Sequence, residues 1–350
     1  MPVTADTLAL VAAARAAVDD ILDATTRTLT GAWVTAWDGL ALDLLLALDE
    51  LLATLAGGGW PSRARIARAA RLQEALEAAA RALEELTARV RSETATGARG
   101  AVQTGLSAQP GIIASQMPPG LNRAALLSQL TRWSERDLAA IVARTTERIT
   151  SLTRPLSADA EAAMRRELVR GVAVGANPVD AARAMLARLE GAFNGGLTRA
   201  VTIARTEMLD AHRQAAQAGQ DANASVLSGW IWSAAMARTT CPACWAMHGT
   251  VHRLEEPGPQ GHPQCRCART PAVRPWRELG IDMDDPPSVI PDAQATFRSM
   301  SRDDQLAVMG PGRLATLDRG DIAWADLAQR RDNPDWRPSY VPTPVGQLTR

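Results

Sequence analysis

Four cysteines and three of the four histidines fall between positions 241 and 267, in the stretch TTCPACWAMHGTVHRLEEPGPQGHPQCRCART. Cys241 and Cys244 stand as C-x-x-C. The turn of such a motif aims both sulfurs at one point, as a tetrahedral ion with metal–sulfur distances of about 2.3 Å requires. His262 and Cys265 are three apart, a spacing that a turn can bring together. Cys265 and Cys267 are two apart, so an extended strand places both on one face. Five donors for four positions leave the ligand set open: Cys241, Cys244 and His262 with either Cys265 or Cys267, and zinc as the expected ion.

Other chemistries fit these residues less well. A thioredoxin-type pair needs a strand before the motif and a helix after it in a parallel sheet, whereas a long helical pattern and a second cysteine pair surround this one. A nucleobase deaminase places His-x-Glu before Pro-Cys-x-x-Cys; here CPAC comes first and no His-x-Glu precedes it. No nucleophile–base pair can be assembled, so the expected site is closed and structural and the expected protein is not an enzyme. Cysteines that merely pack as small hydrophobes would leave the nearby His262-Pro263 unexplained. His248 and His252 are expected on a loop or strand surface, and His212 as a packing or solvent-facing helix residue. Arg266, Arg269, Arg274 and Arg277 follow His262 with no intervening acid. They read as a candidate contact for DNA phosphates or an acidic partner, set against the plainer reading of a solvated strand face.

The elements that must position these residues are mainly helical. From Ala5 to about Arg91, Leu8, Val11 and Val18, then Leu44, Leu48, Leu51, Leu52 and Leu55, recur at helical spacing. Gly57-Gly58-Gly59 interrupts the pattern, and Leu72, Leu76, Leu83, Leu86 and Val90 resume it on one face. Residues 1–97 therefore read as a helical hairpin or intersubunit bundle, and residues 98–120, with SETATGARG across their start and QMPPG at their end, as a linker or extended arm.

Helices resume at Leu121, one of them stopped by Pro155. Ser157 suits an N-cap for the next, which ends at Gly171 or Gly175. Asn177-Pro178 caps another, and Gly191, Gly195 and Gly196 punctuate before a last long helix. The helix–Gly–helix pattern between 157 and 190 offers few base-reading side chains beyond Arg183 and Arg188, against a DNA-reading helix-turn-helix. After Gly219 the alternation in VLSGWIWSA reads as strand, as do GTVHRLEE and RCARTPAV. Residues 293–350 read as short helices and a Pro-rich extended tail. The fold class is thus mainly α with a small antiparallel β module, the metal knuckle lying near the C-terminal third.

Composition bounds the partners. The chain has 350 residues, 46% of them hydrophobic, enough for globular packing. Lysine is absent and the formal net charge is +0, which argues against indiscriminate coating of nucleic acid. The start shows no basic region followed by an apolar run, so no secretory leader is expected. The most apolar stretch, Leu40 to Ala56, is broken by Asp43, Asp49 and Glu50, so no membrane partner is expected. Clustered Cys and His fit a reducing compartment.

The order of features from IARTEMLDAHRQA through WIWSAAMARTTCPACWAMHG to GHPQCRC resembles the phage head morphogenesis family typified by protein F of phage Mu. The residues that carry the resemblance are Arg205-Thr206-Glu207, Thr239 to Cys244, Gly249, and His262 to Cys267. Two positions depart from the family pattern: His248 stands where an acid usually precedes the glycine, and Ala237 where the strand end often carries Asp. The resemblance runs from about Leu156 to Arg274, within a domain expected over residues 121–292. It implies a minor structural protein of a tailed-phage head, in several copies at or near the portal vertex. It further implies contacts with portal and major capsid proteins, possible contact with packaged double-stranded DNA during packaging or ejection, and assembly in the host bacterial cytoplasm. The alternative function is a zinc-containing protein that binds the packaged genome.

Overall fold

A computed structural model describes residues 1–53, 61–130, 135–169, 178–333 and 337–348. In chain order the helices are α1 (Ala5–Ala53), α2 (Arg63–Ile66), α3 (Ala70–Ala114), α4 (Arg123–Gln129), α5 (Glu135–Thr153), α6 (Leu156–Val169), α7 (Pro178–Asp221), α8 (Pro242–Met247), α9 (Ala293–Ser299), α10 (Arg302–Asp318) and α11 (Val345–Leu348). The strands are β1 (Leu227–Ser233), β2 (Val251–His252), β3 (Ala268–Val273), β4 (Ala328–Arg331) and β5 (Ser339–Pro342). Mainly helical architecture with small antiparallel sheets is therefore as the sequence implied. The Gly57–Gly59 break, the helix stop at Gly171 or Gly175 and the Asn177 cap lie outside the described residues.

The chain divides into two compact units: Met1–Ile21, Ala98–Ala143 and Met208–Arg350 form one, and Leu22–Gly97 with Arg144–Glu207 the other. These units cut across the consecutive segments 1–97, 98–120, 121–292 and 293–350, because α1, α3, α5 and α7 each contribute residues to both.

The unit of residues 22–97 and 144–207 is built on the apolar stripes. Leu44, Leu48, Leu72, Leu76, Leu83 and Val90 are buried in one core with Leu156, Met164, Leu189 and Phe193. A fully buried aliphatic side chain contributes roughly 1.5–3 kcal/mol, so this core outweighs the helix-weakening glycines. The Trp33 indole N–H donates to the Phe193 carbonyl at 3.2 Å, and Trp37 packs on the Phe193 ring with centroids 5.4 Å apart. By length and composition α1 is apolar enough to cross a membrane, and 33% of its most apolar window is buried within the protein.

Three local expectations need correction. The extended arm over 98–120 is helix as far as Ala114. Gly105 serves close packing rather than a break: a Cβ there would come within 2.7 Å of the His212 carbonyl oxygen of α7. Gly191, Gly195 and Gly196 likewise lie inside an unbroken α7; a helical glycine costs only about 1 kcal/mol, which tertiary packing overrides. Ser157 is within α6, which begins at the buried Leu156.

The other unit carries the sheet. β1 is central, antiparallel to both neighbours in the order β2-β1-β3. Alternation splits its side chains: Trp230 and Trp232 face the cysteines, while Ile231 packs with Val3 and Ala272. β3 is an edge strand, which explains how it accommodates Pro271. Gln116 covers that edge, donating to the Pro271 carbonyl at 2.8 Å and accepting from the Val273 N–H at 3.1 Å.

The C-terminal region also differs from expectation. SRDDQLAVM and GRLATL join in α10, kinked at Gly310-Pro311. DIAWADLAQRR gives a 3-10 turn and then β4, which pairs antiparallel with β5 from the Pro-rich tail. Pro342 sits at the end of β5, where a strand tolerates proline.

Candidate metal centre

α8 is six residues long and entirely buried. Cys241 is its N-cap, with the sulfur accepting from the Cys244 N–H at 3.4 Å, and Pro242 occupies the first turn, where no amide donor is needed. One turn of helix thus brings the Cys241 and Cys244 sulfurs together. Trp245 faces the other way, edge-on to Phe297 with centroids 5.8 Å apart. The helix is thereby wedged between the cysteine cluster and the core of Phe297, Met309, Leu314 and Leu327.

The second set of donors comes from a tight turn. The Cys265 N–H donates to the His262 carbonyl at 3.0 Å. Pro263 stands at the second position and Gln264, with φ of 61°, at the third, the pattern of a type II turn. The turn folds His262 and Cys265 back on each other. Gly261, just before it, lies so close to Cys265 that a Cβ there would collide with the Cys265 sulfur. Behind it the chain leads into β3, and Cys267 immediately precedes that strand.

These pieces meet. The His262 Nε2 is 3.1 Å from the Cys241 sulfur and 3.6 Å from that of Cys244, and the Cys244 and Cys265 sulfurs are 3.6 Å apart. Donor atoms of Cys241, Cys244 and His262 lie within 4.8 Å of one another, as do those of Cys244, Cys265 and Cys267. Sulfur ligands on a tetrahedral ion at about 2.3 Å stand about 3.8 Å apart, so the spacing suits one. The His262 Nδ1 is 2.8 Å from the Pro263 carbonyl. A carbonyl only accepts, so Nδ1 carries a proton and Nε2 is the nitrogen that faces the sulfurs, the one a metal ion would take on displacing its proton. The structure thus places the five donors expected from the sequence in two overlapping triads that share Cys244, each able to hold a metal ion.

Electrostatics within the cluster split the four thiols, drawing Cys241 and Cys265 towards thiolate and holding Cys244 and Cys267 as thiols. Hydrogen bonding with Cys244, then with His262, draws the Cys241 thiol down to about 5. Hydrogen bonds from Cys244 and Cys267, with the nearby Arg213, hold Cys265 well below the ordinary thiol range. Cys244 moves upward because it bonds to the Cys241 and Cys265 sulfurs. For Cys267, contact with Cys244 acts downward, but the Cys265 charge and burial prevail and raise it. Burial alone would lower His262; the Cys241 sulfur and the charges of Cys265 and Cys241 raise it to about 9.

The remaining histidines stand outside the cluster. His248 accepts the Ala234 N–H on its Nδ1 at 3.0 Å. His252 stacks on Trp230 at 4.2 Å and contacts Glu256 at 3.1 Å. His212 is buried in α7 with its Nδ1 3.3 Å from the Ala101 carbonyl.

The four arginines do not form one patch. Arg269 is 2% exposed; it bonds to Gln220 and to the Glu256 and Leu254 carbonyls, with its guanidinium 4.5 Å from the Trp230 ring centre. Its place in β3 points it into the protein, and the expected contact with an external partner is corrected for this residue. Arg266 is exposed and pairs with Asp19 at 3.4 Å. Arg277 pairs with Asp282 and Asp284, and exposed Arg274 donates to the Leu227 carbonyl at 3.1 Å.

The Arg-Thr-Glu segment is structural in the unit that holds it. Arg205 donates to Asp23 and Thr26 of α1 at 3.2 and 3.1 Å. Glu207, 1% exposed, lies 3.2 Å from Arg148 of α5. Three residues that bear on the metal centre or its sheet were missed in the sequence: Arg15, Gln116 and Arg213. For Arg213 the available signal was a charge set within the apolar run of Met208, Leu209, Ala211, Ala215 and Ala216 on α7.

A helical body bearing a small antiparallel sheet with a clustered Cys/His knuckle is the class that fold and site define. Residues 162–270 match the family described as phage Mu protein F like protein. The chain therefore carries a Mu protein F-like region, and the resemblance read from Arg205 to Cys267 holds over that stretch. No curated protein and no solved structure matches the chain.

Proposed function

We propose that this chain is a minor structural protein of a tailed-phage head, acting in head assembly at or near the portal vertex, with zinc as a structural ion in its knuckle. The observation that carries the reading is the coincidence of the Mu protein F-like match with the five-donor cluster inside the same region. Cys241, Cys244 and His262 with Cys265 or Cys267 would hold the ion. Bound there, zinc cross-links the start of α8, the His262–Cys265 turn and the start of β3. Because metal-binding free energy becomes folding free energy, the ion fixes a small sheet whose own core is limited.

The partners are the portal and major capsid proteins, several copies per virion, with assembly in the bacterial cytoplasm and residence at the portal vertex or capsid interior. A part in DNA packaging or ejection belongs to the same reading, and turnover chemistry and a membrane do not. Direct genome binding has less support, since Arg269 is buried and Arg277 faces two carboxylates. Quantitative mass spectrometry and cross-linking of purified heads from the phage encoding this chain test the proposal. A low, fixed copy number and cross-links to the portal are expected. Heads that lack the protein and assemble normally without its gene would overturn it. Salt-dependent DNA binding by the purified protein would favour the genome-binding reading instead.

A further inference from the structure

The backbone of the last two cysteines is held by a buried cation. Arg213 on α7 is 6% exposed. Its Nε donates to the Cys267 carbonyl at 3.1 Å and its Nη2 to the carbonyl of Cys265. The planar fork of the guanidinium thus spans both ends of Cys265-Arg266-Cys267, which a lysine cannot do. A second buried cation, on α1, is anchored at the end of β1, the strand paired with β3 just beyond Cys267. The Arg15 Nη2 donates to the Ser233 carbonyl at 3.2 Å and its Nε is buried with no hydrogen-bond partner; burial pulls its guanidinium down, and the charges of Cys267, Asp19 and Cys265 act upward on it. One turn on, Asp19 takes the side chain of Arg266, between the two cysteines.

Charge gives this arrangement a purpose. A divalent ion with three thiolates and an imidazole carries a net charge of about −1, and with four thiolates about −2. Burying either is costly without counter-charge, and so is burying two guanidinium groups. Here each offsets the other.

We propose that Arg213 and Arg15 are positioning residues of the metal centre: Arg213 fixes the Cys265–Cys267 backbone so that its sulfurs face Cys244, and the two guanidinium groups balance a thiolate-rich site. The proposal rests on the metal reading given above. The test uses the full chain and its Arg213→Ala, Arg213→Lys and Arg15→Met variants, with circular dichroism to confirm folding. Zinc affinity is measured by chelator competition and ligand placement by the cobalt(II) spectrum. Arg213→Ala should weaken zinc binding about 10–100-fold, in the range usual for groups supporting metal ligands, and reduce the thiolate-to-cobalt absorption. Arg213→Lys, which keeps the charge but not the fork, should recover only part of the affinity. Arg15→Met should weaken binding several-fold and leave the spectral shape intact, and it decides the matter if Arg213→Ala does not fold. A wild-type chain that binds metal no more tightly than these variants, with the same spectrum, overturns this inference alone. A wild-type chain that takes up no metal overturns the metal reading and this inference together.

Discussion

His212 makes the unit that holds the knuckle sensitive to acid, in an amount the structure sets. Burial in α7 pushes its imidazole down from 6.5 to about 4, against the Ala101 carbonyl, which acts upward, and with Arg213 and Arg15 adding to the fall. The folded state therefore holds His212 neutral, whereas the unfolded chain protonates it near 6.5. Above pH 6.5 neither state binds the proton and the residue imposes no penalty. As pH falls from 6.5 towards 4 the unfolded state gains the proton first, so stability drops. With these two values the loss is about 2 kcal/mol at pH 5 and about 3 kcal/mol at pH 4. His212→Gln keeps a donor for the Ala101 carbonyl and removes the titration. Hydrogen–deuterium exchange of the amides from Met208 to Asp221 gives the opening free energy of this helix end locally, free of the other unit. The wild-type-minus-variant difference should fall by about 2 kcal/mol between pH 7 and pH 5. Parallel pH profiles for the two proteins would refute the burial argument.

Gly261→Ala should force the Cys265 sulfur aside, costing on the order of 1–3 kcal/mol as overpacking and weakening zinc retention at least tenfold in chelator competition; unchanged retention would contradict the close approach at this position. Gln264→Gly should relieve about 1–2 kcal/mol of left-handed strain against a smaller entropic cost, giving a slightly higher melting temperature with zinc affinity unchanged. A clear fall in stability would count against the type II turn. Arg148→Ala removes the cation beside the buried Glu207 carboxylate and should destabilise its unit by roughly 1–3 kcal/mol, read as faster exchange of α5 and α7 amides between 144 and 207; Arg277→Ala, in an exposed pair, should change stability by less than about 1 kcal/mol.

The Cys/His cluster was legible in the sequence because its geometry is local. A C-x-x-C with proline at its second position makes a helix-start turn, and His-Pro-x-Cys makes a type II turn, each within four residues. The helix count was less legible, since SETATGARG with QMPPG and the Gly191–Gly196 cluster look like breaks when read alone. Gly105 is in fact a place where α3 and α7 approach closely, information held in the partner helix. Arg269 illustrates the opposite error. Its position in a basic run suggested a surface, but strand alternation and the Gln220, Glu256 and Leu254 acceptors turn it inward. The pairing of β4 with β5 was hidden for a related reason. Tyr340 is placed by its backbone N–H, which donates to the Gln260 carbonyl, and by edge contact with Trp232, neither of which is near it in sequence.

Metal analysis of the purified full chain tests most directly whether the knuckle holds an ion. Close to one zinc per chain is expected, lost with loosening of the residue 208–350 region on chelation. Cys241→Ser should lose the ion, whereas His212→Gln should keep it at pH 7. A chain that carries no metal after purification in zinc-containing buffer, with all four thiols freely reactive in the folded state, would contradict the account.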